Sequence, residues 1–160
     1  MKMKKTAAFL CTAAIACSMS FPAFAAQTRA EYKEESSQTR QELEETGNAM
    51  KRIQEENRAA ADRCSELRKA QKEAKELKEN RDTWKQVKEL KGEITSLRVS
   101  YTESNGDAKL LKAQAKDDAK DGRFDEALTK LDKALSEKKE ALGYLEQIDG
   151  IWDQIDQLIN

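Results

Sequence analysis

The chain has 160 residues, of which 29 are Lys or Arg, 30 are Asp or Glu and none is His, and its formal net charge is −1. Without histidine it lacks the usual general base and the commonest transition-metal ligand. Because it also has no glycine-rich phosphate loop, nucleophile elbow or metal-binding cluster, the sequence predicts a protein that is not an enzyme and has no cofactor, no metal and no evident small-molecule ligand.

The first 25 residues have the pattern of an export signal. Three lysines among the first five residues precede an apolar run over residues 6–17, and Ala23-Phe24-Ala25 has the small-x-small form of a cleavage site. This run is shorter than the ~20 residues that cross a bilayer, so no membrane span is predicted. We expect cleavage after Ala25 and a bacterial protein of the periplasm, cell envelope or exterior; lipidation at Cys17 is the alternative.

Removal of this signal peptide changes the composition of the chain. The mature protein has 26 basic and 30 acidic residues, no proline and a single cysteine, Cys64. Absence of proline removes the main interruption to long helices. Large apolar residues are sparse but periodic, which favours thin, elongated helices with charged faces in water. The sequence predicts one all-α domain over residues 43–160, behind a frayed or flexible lead over residues 26–42.

A heptad-like pattern predicts a long first helix over residues 43–79. Its 3-4 spacing is typical of a coiled-coil seam. An asparagine in such a seam fixes register and favours a dimer, and the next seam residue, a lone cysteine, would cross-link a parallel homodimer. The alternatives are a solvated asparagine and a small buried cysteine. The seam residues are Leu43, Met50, Ile53, Asn57, Cys64 and Leu67.

In the middle of the chain the sequence predicts two interruptions of helical structure, one before residue 82 and one at residues 104–107. An apolar stripe from Val87 to Tyr101 predicts a helix near residues 82–102, and residues 104–107 are typical of a turn. A helical hairpin over residues 108–159 follows, with the first helix folded back against the later ones as an antiparallel bundle. Gly122 suits the left-handed position that ends a helix, and Phe124 anchors the start of the last helix.

The end of the last helix is the most apolar part of the mature chain. Residues 140–160 hold five acids and no base, whereas residues 51–91 have a net charge of +4, so these segments are expected to pack together. Basic residues alternate with acids along the chain, which argues against nucleic-acid binding. The C-terminal stripe is core if the first helix covers it, and a partner-binding face if it is partly exposed. The stripe consists of Leu145, Ile148, Ile151, Trp152, Ile155, Leu158 and Ile159.

One short segment resembles a known repeat. Gly122, Phe124 and Ala127 have the spacing of the turn in a tetratricopeptide repeat, and the resemblance covers about residues 108–140. It implies a helical hairpin of the kind that this family uses as a module. Asp118 stands where the family has a large apolar residue, and no second copy follows at the repeat's period. A generic helical hairpin is the alternative.

These patterns together predict an exported, non-catalytic coiled-coil protein. It would act through helix-mediated protein–protein interaction or as a structural or adaptor component of the envelope, with an unidentified protein partner. The alternative is a periplasmic holdase chaperone, since the size, export signal and long helices are similar to those of the trimeric prefoldin-like chaperones of the outer-membrane pathway. The β body and basic arms of that family have no counterpart in this sequence.

Overall fold

Three long helices make up the computed structural model, which describes residues 28–159. They are α1 (Arg29–Glu73), α2 (Arg81–Lys120) and α3 (Phe124–Ile159), with a short 3-10 turn, Glu76–Lys78, between the first two. No strand occurs within the described residues, and the predicted all-α, elongated helical bundle is confirmed. The predicted signal peptide, its cleavage after Ala25, and Cys17 lie outside the described residues.

α1 starts well before the predicted first helix. The Thr28 hydroxyl accepts a hydrogen bond from the backbone N–H of Glu31 (3.3 Å), and the Glu31 carboxylate accepts one from the backbone N–H of Thr28 (2.9 Å). This capping box satisfies two N–H groups that a helix start leaves free. The structure therefore differs from the frayed or flexible lead predicted over residues 26–42. Tyr32 accounts for the difference, because it is buried and stacks on Phe124 of α3.

α2 is continuous where the sequence predicted a turn at residues 104–107, so that prediction is wrong. The helix runs for 40 residues, and Ser104 and Ala108 are buried on it while Gly106 is exposed. A glycine costs about 1 kcal/mol in a helix interior. Because the two flanking small residues pack inside the bundle, tertiary packing outweighs that local cost. Residues 28–159 therefore form three long helices, where the sequence predicted four helices of which one was short.

The connection between α1 and α2 is short and contains one strained residue. Lys75 has a φ of 63°, in the left-handed region that side chains other than glycine disfavour. The carbonyl oxygen of the Gln71 side chain accepts hydrogen bonds from the Trp84 indole N–H (2.8 Å) and from the Asn80 amide (3.3 Å). These two bonds attach the beginning of α2 to the last turns of α1.

α1 and α3 run parallel to each other. Thr39 near the start of α1 donates a hydrogen bond to Asp132 (3.0 Å), and Arg63 near its end pairs with Asp156 (2.7 Å). Residue numbers thus increase in the same direction along both helices. The predicted antiparallel arrangement of the first helix holds for α2 but not for α3, because the uninterrupted α2 carries the chain back to the level at which α1 starts.

α2 runs antiparallel to α1 but does not pack closely on it. The Gln54 amide donates a hydrogen bond to the Tyr101 hydroxyl (2.6 Å), and the Trp84 indole N–H donates one to Gln71. Residue numbers therefore increase along α1 in the direction in which they decrease along α2. The backbones of α1 and α2 hardly approach each other, whereas α3 packs against both. α3 is therefore the helix around which the bundle is built, and a groove separates α1 from α2.

The apolar residues form two clusters along the bundle. The smaller cluster, near the α2–α3 connection, joins Tyr32 and Leu43 to Ala115, Ala127 and Leu131. The larger cluster contains Met50, Ile53, Ala60, Cys64, Val87, Ile94, Ala141, Leu145, Ile148, Ile151, Trp152 and Ile155.

No helix within residues 28–159 is apolar enough over sufficient length to cross a membrane.

Candidate functional site

The predicted C-terminal stripe divides into a core part and an uncovered end. Ile155 is completely buried, as expected for a core residue, but Leu158 is 38% exposed and Ile159 is partly buried. α3 ends at Ile159, beside Leu67 and Ala70 of α1, and α1 runs on to Glu73, so the seam between the two helices is open at this end of the stripe. The buried members are Leu145, Ile148, Ile151, Trp152 and Ile155.

A cleft lies where α3 ends against α1. We call it the C-terminal cleft; it has a volume of about 370 Å³. Leu67 and Ile159 are partly buried within it and Ala70 is exposed, so three apolar side chains line the depression. Leu158 is the next residue to Ile159 but does not line the cleft. The complete lining is Arg63, Glu66, Leu67, Ala70, Asp156 and Ile159.

A salt bridge forms one rim of this cleft. The Arg63 guanidinium lies 2.7 Å from the Asp156 carboxylate, and the hydrogen bond raises the pKa of Arg63 above its ordinary value. Glu66 adds a further negative charge. The pair agrees with the expectation that the acidic last helix packs along the basic middle of the first. An exposed pair of this kind contributes little to stability, so its main effect is to fix the position of the rim.

The predicted coiled-coil seam is buried against α3 within a single chain. Asn57 is only 5% exposed and its amide donates to the Leu145 carbonyl oxygen (3.2 Å), so it fixes the register between α1 and α3. Cys64 is free and completely buried, which agrees with the small buried hydrophobe among the alternatives. Leu43, Met50 and Ile53 are also buried. Leu67, the last seam residue, is the one that reaches the C-terminal cleft.

The opposite end of the bundle contains the predicted hairpin corner. Gly122 has a φ of 80°, which is the left-handed conformation expected for it. The backbone N–H of Arg123 donates to the Asp118 carbonyl oxygen (2.9 Å), a six-to-one bond typical of a Schellman motif. Asp118 is 4% exposed, and its carboxylate accepts hydrogen bonds from Arg123 and Lys130. These bonds lower the pKa of Asp118, with Lys130 contributing most.

Phe124 joins this corner to the start of α1. Its ring is partly buried and stacks on Tyr32, with centroids 5.4 Å apart and planes at 27°. The Arg40 guanidinium lies over the Tyr32 ring and also donates to the Tyr32 hydroxyl (2.9 Å). We call this end of the molecule, with its buried carboxylate and stacked rings, the corner end.

A second cavity lies in the groove between α1 and α2. We call it the α1–α2 cavity; its volume is about 350 Å³. The Gln54 amide donates to the Tyr101 hydroxyl and bridges the two helices beside it. The Asn57 side-chain oxygen has no hydrogen-bond partner among the described residues. The lining residues are Gln54, Asn57, Arg58, Ala61, Arg98, Tyr101, Thr102, Leu145 and Ile148.

Positive charge accumulates along the groove in which this cavity lies. Lys138 of α3 donates to the Leu43 carbonyl oxygen (2.7 Å), and it passes so close to Gly47 that a Cβ there would lie 2.7 Å from its ammonium nitrogen. Burial lowers the pKa of Lys138, and the nearby charges of three other lysines lower it further. Those lysines are Lys51, Lys109 and Lys112.

Negative charge lies on other faces of α3. Burial raises the pKa of Asp149, and the neighbouring carboxylates of Asp153 and Glu56 raise it further. Tyr144 has a raised pKa chiefly because its hydroxyl donates to Glu140 (2.8 Å). The acidic neighbours of Asp149 and Tyr144 thus differ from the lysines that surround Lys138.

Nothing in the spacing of the residues predicts the α1–α2 cavity. Arg58 and Arg98 are 40 positions apart and come together only because α2 runs antiparallel to α1. The same is true of the Lys138 cluster, which draws on all three helices. Asn57 is a polar residue in an apolar stripe, and this is the one sequence feature that points to the α1–α2 cavity.

Comparisons with family models, with curated proteins and with solved structures found no match for this chain. The resemblance to a tetratricopeptide repeat therefore stays a prediction. Among the residues that the structure describes, no group of three or more His, Cys, Asp or Glu side chains is placed to hold a metal ion. The candidate sites are thus the two cavities, which differ in charge and in the helices that form them.

Proposed function

We propose that the chain is an exported, non-catalytic adaptor whose C-terminal cleft binds an amphipathic helix of a partner protein. One observation carries this proposal: α3 ends at Ile159 while α1 runs on to Glu73, so the apolar seam between the two helices is open at this end. The cleft that results is lined by Leu67, Ala70 and Ile159. A helix of a partner that placed an apolar side chain there would extend the packing that α3 provides further along α1.

The export signal supports the location of this interaction. Residues 1–25 carry the pattern of a secretory signal, and no helix within residues 28–159 is a candidate membrane span. We therefore propose that the partner is a protein of the periplasm, envelope or exterior. Amino-terminal sequencing of the exported protein is expected to begin at Ala26. An unprocessed chain, or one that begins at Cys17 with a lipid, would contradict this part of the proposal.

The holdase alternative has less support. A holdase needs continuous apolar surface for unfolded clients. The exposed large apolar residues of the described chain are Val99, Leu110 and Leu158, which lie far apart in the sequence on two helices. The C-terminal cleft is lined by three apolar side chains from two helices and suits a defined helix better than an unfolded chain.

Site-specific photo-crosslinking in the bacterium that encodes the chain tests the proposal. A photoreactive residue at Ala70, which is exposed and lines the cleft, is expected to give a discrete adduct with one protein. The same residue at Ala59, which is exposed on α1 and does not line the cleft, is the matched control. Equal adducts from the two positions, or none from Ala70, would contradict the proposal.

Binding of the captured protein provides the second half of the test. After purification it is expected to bind the wild-type chain, and Ala70→Glu is expected to weaken binding by about tenfold or more, because a charge would be buried against an apolar side chain. Ala59→Glu adds the same charge outside the cleft and should leave binding unchanged.

A further inference from the structure

The α1–α2 cavity combines an apolar floor with a cationic rim. Leu145 and Ile148 of α3 form its floor, and Ala61 of α1 adds to it. Arg58 and Arg98 line it from the two flanking helices, and both side chains belong to exposed residues. Neither guanidinium forms an ion pair with a carboxylate among residues 28–159. The two arginines are therefore available to an anion that enters between them.

A buried acceptor adds a second feature. Asn57 is more than nine-tenths buried and lines the cavity, and its side-chain oxygen has no protein donor within the described part of the chain. Its amide is already used, because it donates to the Leu145 carbonyl oxygen. A buried acceptor without a donor is costly, so a bound molecule that carried an N–H or O–H group next to its apolar part would relieve that cost.

The size of the cavity limits what can occupy it. The α1 residues that line it, Gln54 to Ala61, span roughly 10 Å at 1.5 Å per residue. A volume of about 350 Å³ lies in the range of small-molecule sites. The Gln54–Tyr101 hydrogen bond crosses the groove at this level, and a partner helix laid along the groove would have to break it. A small molecule therefore fits better than a helix.

We propose that the α1–α2 cavity binds a small amphipathic carboxylate, of the size of a medium-chain fatty acid. Its carboxylate lies between Arg58 and Arg98, its alkyl chain lies on Ala61, Leu145 and Ile148, and a hydroxyl close to the carboxylate donates to Asn57. The lysines around Lys138, in the same groove, add to the positive potential that favours an anion. This site goes beyond the proposed function and uses a different surface from the C-terminal cleft.

Calorimetric titration of the mature chain, residues 26–160, with octanoate tests the proposal. Octanoate is expected to bind with one-to-one stoichiometry, and octylammonium, which has a chain of the same length and the opposite charge, is expected not to bind. β-Hydroxyoctanoate should bind more tightly than octanoate, because its hydroxyl supplies a donor for Asn57. All titrations are done below the concentration at which these amphiphiles aggregate.

Variants of exposed arginines separate the cavity from general surface charge. Arg58→Ala and Arg98→Ala are each expected to weaken octanoate binding by about tenfold, since each removes a hydrogen bond between charged groups. Arg52→Ala removes the same charge from α1 outside the cavity and should leave binding unchanged. In a nitrogen-labelled sample, octanoate should shift the Asn57 side-chain amide signals in the wild type.

Three results would overturn the proposal. The first is that octanoate does not bind, and the second is that octylammonium binds as tightly as octanoate. The third is that Arg52→Ala weakens binding as much as Arg58→Ala and Arg98→Ala do. None of these results bears on the C-terminal cleft, so the proposed adaptor function would be tested separately by the crosslinking experiment.

Discussion

The two ends of the bundle are built differently. At the corner end, α1 starts with a capping box, Phe124 stacks on Tyr32, and Asp118 accepts hydrogen bonds from two cations. At the C-terminal end, Lys75 adopts a left-handed conformation, and α3 ends at Ile159 while α1 runs on to Glu73, which leaves Leu67 only partly buried.

This difference shows how a thin bundle uses few large apolar residues. The corner end satisfies its polar groups and closes over its aromatic rings, so it leaves little surface for another protein. At the C-terminal end, α3 stops before α1 does, and Leu67, Ala70 and Ile159 remain partly accessible. The contrast favours the C-terminal end as the binding end.

The largest effect is expected from a core residue of the C-terminal stripe. Ile155→Ala should lower the free energy of unfolding by about 3 kcal/mol, because Ile155 is completely buried and truncation leaves a cavity. Leu158→Ala, three residues further along the same helix, should change it by less than about 0.5 kcal/mol. Urea unfolding measures both. Equal losses would show that α3 is covered to its end.

A smaller effect is expected at the corner end. Phe124→Ala should cost about 2 kcal/mol, below the range for fully buried phenylalanine because the ring is only partly buried, and part of this loss belongs to the stacked pair with Tyr32. Phe124→Leu retains apolar volume and should cost less. If Phe124→Ala leaves urea unfolding unchanged, the ring does not hold the start of α1.

Relief of backbone strain should stabilise the C-terminal end. Lys75→Gly is expected to raise the free energy of unfolding by about 1 kcal/mol, because glycine adopts a φ of 63° without the steric cost that lysine has. Lys72→Gly, within the last turn of α1, is the matched control and should destabilise the protein. Thermal unfolding of the two variants checks the sign of each change.

The smallest loss of stability is expected for Asp118→Asn, because asparagine still accepts a hydrogen bond although it lacks the charge. This loss is greatest at neutral pH, where the native carboxylate is ionised, and shrinks in acid. Hydrogen bonds from Lys130 and Arg123 lower the pKa of the native Asp118 carboxyl, so it stabilises the fold above its ordinary pKa of about 3.9, and this contribution is lost as the pH falls.

The wild type should therefore lose thermal stability more steeply than Asp118→Asn between about pH 5 and pH 2. Asp107→Asn, an exposed change of the same charge on α2, serves as the control and should follow the wild type. Parallel curves for Asp118→Asn and the wild type would show that the paired carboxylate does not stabilise the corner end.

Periodicity predicted much of this fold. The seam from Leu43 to Cys64 and the stripe from Leu145 to Ile155 are visible as apolar residues at helical spacing, and both are buried in the bundle. Gly122 was assigned its left-handed position because few residues other than glycine adopt it. These features are local, so a single sequence is enough to reveal them.

The rest depended on contacts between distant residues. Residues 104–107 have the composition of a turn, but Ser104 and Ala108 pack inside the bundle and keep α2 helical. Asp118 broke an expected apolar pattern, and only the structure shows that Arg123 and Lys130 pair with it. The parallel pairing of α1 with α3, and both cavities, follow from the length of α2.

Hydrogen exchange along α1 tests most directly the contrast between a closed and an open end. Residues 32–43, at the corner end, should exchange more slowly than residues 66–73, which form the last turns beside the C-terminal cleft. Mass spectrometry of the mature chain at neutral pH measures both segments in one experiment. Slower exchange in residues 66–73, or equal rates in the two segments, would contradict the assignment of the C-terminal end as the open, partner-binding end.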